Sequence, residues 1–107
     1  MAKSLGIFVT NADPQNWKHI QGVVKAAVAK GSKVKVFFTW HGTQLSRTPE
    51  FPALCALENV DVSICADSYK KSGFDVEDIP QGLTKEKMAT QAQHGAIIEN
   101  YDCYMTF

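Results

Sequence analysis

The chain has 107 residues, of which 45% are hydrophobic and 21% charged, and its 11 basic and 11 acidic side chains cancel. This length predicts a single domain over residues 1–107 that buries enough surface to fold without disulfides. A neutral chain with no basic cluster beyond Lys70-Lys71 lacks the charge of a nucleic-acid-binding protein, and no apolar run is long enough to span a membrane.

Three cysteines, Cys55, Cys65 and Cys103, show no spacing typical of a metal site, and their odd number does not suit a disulfide framework. Unpaired cysteines are typical of a reducing compartment. The apolar stretch Leu5–Val9 is too short for the core of a signal peptide. We therefore expect a cytoplasmic protein with no metal, no cofactor, and no membrane or nucleic-acid partner.

The first part of the chain predicts two strands on either side of a long helix. Leu5–Thr10 is an apolar run typical of a buried strand, and Asp13-Pro14 is a capping residue followed by proline at the first helical position. Apolar residues then recur at spacings of three and four up to Gly31, which suits a left-handed helix end. The β-branched and aromatic run Val34–Phe38 is the second predicted strand.

The rest of the chain predicts further helices and strands in alternation. A second helix opens at Thr48-Pro49, a third strand is Val60–Cys65, and a short helix ends at Gly73. Residues 74–83 are predicted as a loop that has room for a short strand. The last two predicted elements are a helix capped by Thr84, which carries Met88, Ala92 and Ala96, and a closing strand Tyr101–Phe107.

This alternation of strands and helices predicts an α/β fold. Right-handed crossovers give a three-layer sandwich around a mostly parallel sheet of four to five strands, for which we expect the flavodoxin-like order 2-1-3-4(-5). Ligands of such sheets bind beyond the carboxyl ends of the strands. Candidate site residues therefore lie at Thr10–Asp13, Trp40–Gly42 and Cys65–Ser68.

Two common kinds of site do not fit these strand ends. The turn after the first strand has no glycine, carries Asp13, and lacks one N–H at Pro14, so it does not suit a phosphate, flavin or dinucleotide. A phospho-acceptor site would need clustered acids and an aspartate at the end of the third strand, where this chain has Cys65.

Cys65 is the most informative residue, because it ends a strand directly before a predicted helix. Such a position favours the thiolate, which could carry sulfane sulfur as a persulfide or attack an electrophilic carbon. The alternative is a buried and inert thiol. Cys55, on the apolar face of the second helix, and Cys103, in the last strand, are both predicted to pack in the core.

Other polar and aromatic residues at the strand ends are candidates for binding a ligand or supporting Cys65: Asn11, Trp40, His41, Ser68 and Lys70. His41 could act as a base for Cys65. In the expected order, however, the first strand lies between their strands and keeps the backbones about 10 Å apart, too far for a direct hydrogen bond. His19 and His94 are predicted to be solvated.

Four segments in this order resemble the DsrE/DsrF-like family, which includes the sulfur-relay subunits of TusD type. They are the opening strand LGIFVT with its Ala/Val-rich helix ending AKG, the segment VKVFFTWHGTQL, the segment VDVSIC with a glycine at Gly73, and the closing YDCYMTF. The resemblance implies a cytosolic α/β sandwich that forms homotrimers or homohexamers. It also implies that Cys65 corresponds to a cysteine that carries persulfide sulfur between donor and acceptor proteins.

Two hypotheses about function follow. In the first, the protein is a sulfur carrier of sulfurtransferase type, with Cys65 as the acceptor and Lys70 or Lys71 as electrostatic support. In the second, it is a noncatalytic, oligomeric member of the family that binds a small ligand or a partner protein at the same edge of the sheet.

Overall fold

The computed structural model describes residues 3–107. Its strands are β1 (Leu5–Val9), β2 (Val34–Phe38), β3 (Val60–Cys65), β4 (Met88–Ala89) and β5 (Cys103–Thr106). Its α-helices are α1 (Pro14–Ala29), α2 (Phe51–Cys55), α3 (Ala66–Lys71) and α4 (Ala92–Asn100), and two segments, Trp40–Arg47 and Lys85–Lys87, form 3-10 helix. None of the helices in this part of the chain is long and apolar enough to cross a membrane.

The five strands form a parallel sheet in the order β4-β3-β2-β1-β5. The α/β class and the five-stranded sheet are therefore confirmed, but the strand order differs from the predicted 2-1-3-4-5. β2 is the central strand, and all five of its residues are buried. Alternation of strands and helices predicts parallel crossovers, but it does not determine on which side of β1 each later strand is added. The predicted strand order was wrong for this reason.

The sheet buries different side chains on its two faces. The larger core combines alternate residues of β1, β2 and β3 with Trp17, Ile20 and Val24 of α1. On the opposite face, Phe8, Phe37 and Cys65 pack against Ile97 of α4. The strand period of two thus places Cys65 on the face covered by α4.

Helix α1 begins and ends as the sequence predicts. The Asp13 side chain accepts hydrogen bonds from the backbone N–H groups of Gln15 and Asn16, and Pro14 is the first helical residue. Beyond the other end, Gly31 adopts a φ of 84°, a conformation that glycine adopts without strain.

The predictions for the last third of the chain need correction. The helix expected from Thr84 begins at Ala92, because Met88 instead pairs with Ile64 in the sheet and packs against the larger core. Cys103 was predicted to be buried and is exposed, because β5 is an edge strand whose four residues are all exposed. Cys55 is half-buried and packs against the larger core.

Candidate functional site

A tight turn at the end of β2 shapes one side of the candidate site. Thr39 is nearly buried, and Gly42 packs so closely that a Cβ there would lie 2.2 Å from the carbonyl oxygen of Val9. Between them Trp40 adopts a φ of 51°, an unusual and costly conformation for a bulky residue. Its ring is 65% exposed and stacks on His41, with the centroids 4.7 Å apart.

Cys65 lies beside this turn, because β3 is the direct neighbour of β2. Phe38 pairs with Ile64 in the parallel ladder, so the next residues, Thr39 and Cys65, lie side by side at the ends of the two strands. The expectation that β1 separates the strands of His41 and Cys65 was therefore wrong. Its premise was the predicted strand order, which placed β1 between β2 and β3.

The Cys65 side chain borders a hollow of about 530 Å³. This hollow, here called the cysteine hollow, is formed by the start of α3, by Val76 and by the segment that follows β4. Ser68 and Lys70 line it, as does Gln91. Cys65 is only 4% exposed, so the sulfur is sheltered from bulk water while it borders a space that a small molecule can enter.

The surroundings of the Cys65 sulfur favour its anionic form. Burial raises the pKa of this thiol, but donors around it outweigh burial and leave the pKa below its ordinary value. These donors are the hydroxyl and backbone N–H of Ser68, the side-chain amide of Gln91 and the backbone N–H of Asp67. Cys55 behaves in the opposite way, because burial raises its pKa to about 11.

A second hollow, of about 580 Å³, adjoins the cysteine hollow. We call it the tryptophan hollow, because Trp40 and His41 line it together with Thr39, Gln44, Lys71 and Ser72. Ser68 and Gln91 line both hollows and therefore mark the boundary between them. The Thr39 hydroxyl lies 3.4 Å from that of Ser68, a polar contact between the residue after β2 and the first turn of α3.

The predicted site residues divide into two sets. Ser68 and Lys70 line the hollow of Cys65, and Trp40 and His41 line the adjoining one, so these four lie in one region. Asn11 does not belong there: its side-chain oxygen accepts hydrogen bonds from the Asp13 N–H and the Asn16 amide at the start of α1. His19 and His94 are exposed, and the His94 ring packs on Phe8 at a centroid distance of 4.0 Å.

Gln91 is a residue that the sequence analysis missed. The sequence placed Gln91 in the middle of the helix predicted from Thr84. In the structure, the two-residue strand β4 pairs with β3 beside Cys65, and Gln91 therefore lies near the ends of these strands. A strand of two residues has no periodicity to detect. The one sequence signal for this strand was the apolar pair Met88-Ala89 directly before the polar pair Thr90-Gln91.

Within residues 3–107 no three histidine, cysteine or acidic side chains converge in a way that could hold a metal ion. The polar groups at the two hollows are hydroxyls, amides, lysines, one histidine and the Asp67 carboxylate, which is paired with Lys71, around a thiol. Such a set can bind a small anion or a polar molecule and bring it to a nucleophilic sulfur.

Comparison with solved structures identifies a similar fold. The crystal structure of the ychN protein from E. coli superposes with a TM-score of 0.68 at 15% sequence identity, over 97% of this chain and 99% of the other. The two chains share a fold. At this identity the likeness carries over the architecture and no residue roles. No family model matches the sequence, and no curated protein matches it either.

Proposed function

We propose that the protein is a cytoplasmic sulfur carrier that accepts sulfane sulfur on Cys65 as a persulfide and passes it to a partner protein. The observation that carries this proposal is the place of Cys65, a sheltered thiol at the end of β3 that borders a hollow lined by hydrogen-bond donors. These donors hold the pKa of the thiol below its ordinary value. The sequence resemblance to DsrE/DsrF-like proteins suggests the same chemistry, and the ychN likeness agrees with it at the level of the fold.

The proposed loading step needs only a thiolate and a sulfane donor. The Cys65 thiolate attacks the outer sulfur of a donor persulfide R–S–S⁻, a new S–S bond forms, and the donor bond breaks with its electron pair leaving on R–S⁻. Two anions enter the step and two leave it, so no external oxidant or reductant is required. Donors from Ser68 and Gln91 would stabilise the anion on Cys65 before and after the transfer.

Release is the same reaction in the other direction. A thiolate on the acceptor protein attacks the terminal sulfur of the Cys65 persulfide, and the Cys65 thiolate leaves with the electron pair of the broken S–S bond. A lowered pKa favours this step as well, because a more acidic thiol is a better leaving group. One sulfur environment thus serves both half-reactions.

Two lysines at the end of α3 give the site positive charge. Lys70 lines the cysteine hollow and Lys71 lines the tryptophan hollow, where its ammonium group lies 3.0 Å from the Asp67 carboxylate. Both are exposed, and charges of this kind act mainly by attracting an anionic donor toward the strand ends. We propose that Lys70 has this supporting role for Cys65.

We also propose that the chain assembles into a homotrimer or homohexamer. The supporting observation is β5, an edge strand with the uncharged sequence CYMT, in which Tyr104 is 56% and Met105 39% exposed. Edge strands of monomeric proteins are usually protected by charge, proline or a covering segment. Ile98 of α4 adds a further exposed apolar side chain.

A noncatalytic role is the second candidate. Trp40 lines the tryptophan hollow, is exposed and holds a strained backbone conformation, a combination that is common where a ligand or partner is bound. In this alternative the same edge of the sheet binds a small ligand or a partner protein, and Cys65 stays a thiol. Mass measurement after incubation with a sulfane donor separates the two candidates, because only the carrier gains sulfur on Cys65.

A further inference from the structure

Gln91 is connected to the end of β2 by a short hydrogen bond. Its side-chain Nε2 donates to Thr39 Oγ1 at 2.7 Å, and Thr39 itself is only 8% exposed. A glutamine amide has two N–H groups, and this bond uses one of them. The second N–H is available on the side chain that lines the hollow of Cys65.

We propose that Gln91 is a positioning residue of the Cys65 site: Thr39 fixes its amide, and the second amide N–H holds the anionic sulfur on Cys65 at the boundary of the two hollows. This inference rests on the proposed use of Cys65 as a thiolate. The inference adds to the site a residue that lies outside the junction of β3 and α3, and that orients the Cys65 sulfur and keeps it ionised.

Thr39 also connects Gln91 to Ser68. Its Oγ1 accepts from Gln91 and lies 3.4 Å from Ser68 Oγ, and either hydroxyl can donate to the other. Gln91 thus acts on Cys65 through its second N–H, beside the Ser68 hydroxyl that donates to the same sulfur. Hydrogen bonds that are connected in this way strengthen one another.

Burial makes these donors necessary. Cys65 is 4% exposed, and a sulfur anion removed from water is costly unless hydrogen bonds replace its hydration. Burial is the largest influence on the thiol and raises its pKa, and Gln91 is among the donors that outweigh it. Loss of the Gln91 amide should therefore shift the balance toward the neutral thiol.

The test is the pH dependence of Cys65 alkylation by iodoacetamide, followed by peptide mapping of the folded protein. In Gln91→Leu the midpoint should rise by about one pH unit, which lowers the rate near neutral pH several-fold. Gln15→Leu removes the same amide from an exposed position on α1 and should leave the midpoint unchanged. An unchanged midpoint in folded Gln91→Leu, or an equal rise in Gln15→Leu, would overturn the inference.

Substitutions of Thr39 provide a second test of the inference, and this test does not depend on whether Gln91→Leu is stable. Thr39→Val removes the acceptor for the amide and should raise the midpoint, whereas Thr39→Ser keeps the hydroxyl and should restore the native value. Equal midpoints for the two variants would contradict the inference. Alkylation does not involve sulfane sulfur, so this result is independent of whether Cys65 accepts sulfur in the loading experiment.

Discussion

Cys65 lies opposite Ala89 in the parallel ladder between β3 and β4. Both strands end at the same edge of the sheet. The chain continues from Cys65 into α3 and from Ala89 into Thr90-Gln91. The thiol is thereby placed between donors from two segments that are distant in sequence. This pairing explains how a nearly buried sulfur keeps a lowered pKa.

The pH at which each thiol reacts should shift in opposite directions for Cys65, which is buried, and Cys55, which is half-buried. Alkylation of Cys65 should reach its midpoint at a lower pH in the folded protein than in urea, because donors near the sulfur lower its pKa. Cys55 should react appreciably only as the pH approaches about 11, because burial raises its pKa. Peptide mapping after brief exposure to iodoacetamide across a pH series measures both. A folded-state midpoint for Cys65 above the urea value would refute this assignment.

Asp61 should stabilise the fold through two lysines. Its carboxylate accepts hydrogen bonds from Lys35 at 2.8 Å and Lys87 at 2.6 Å, and Lys35 is almost wholly buried. Asp61→Asn should cost about 1–2 kcal/mol, a figure reduced for the partial exposure of the carboxylate. Asp67→Asn, which breaks an exposed pair with Lys71, is the matched control and should cost less than about 0.5 kcal/mol.

The same carboxylate should make stability depend on acid pH. Burial raises the pKa of Asp61, but bonds to Lys35 and Lys87 outweigh it and leave the pKa lowered. The contribution is therefore complete above the unfolded pKa of about 4 and is lost as the pH falls through the lower folded value. Denaturant unfolding between neutral and acid pH should show a smaller loss in Asp61→Asn than in the native protein. Parallel curves for the two proteins would contradict this role.

Two glycine substitutions should have opposite effects on stability. Gly42→Ala places a Cβ 2.2 Å from the Val9 carbonyl oxygen, and since this neighbour is backbone, the variant should lose at least about 2 kcal/mol. Gly22→Ala lies within α1, where nothing comes within 4 Å of the new Cβ, and should gain about 0.5–1 kcal/mol. Thermal unfolding of both variants measures the difference. If Gly42→Ala melted at the native temperature, the tight turn beside the tryptophan hollow would not be as described.

The proposed oligomer should depend on the uncharged edge strand. Light scattering should give a mass of three or six chains, and Met105→Lys should reduce it because a charge would be buried at the interface. Ala29→Lys adds the same charge at an exposed position of α1 and should leave the assembly intact. A native protein that is monomeric at micromolar concentration would contradict the proposal.

The sequence predicted what depends on local patterns. The capped start of α1, the strands β1 to β3 and the position of Cys65 at the end of a strand all follow from periodicity and from residues such as Asp13 and Pro14. It could not predict which strand lies beside which, because the same alternation is compatible with several orders. The adjacency of the two hollows and the place of Gln91 depend on that order and on the pairing of Met88 with Ile64.

The most direct test of the sulfur-carrier proposal is the mass of the intact protein after incubation with polysulfide. The native protein should gain about 32 Da, dithiothreitol should remove the addition, and Cys65→Ser should gain nothing, because a serine hydroxyl cannot form the S–S bond. Cys55→Ala and Cys103→Ser should load like the native protein. Loading that persists in Cys65→Ser, or its absence from the native protein, would contradict the assignment of Cys65 as the sulfur acceptor.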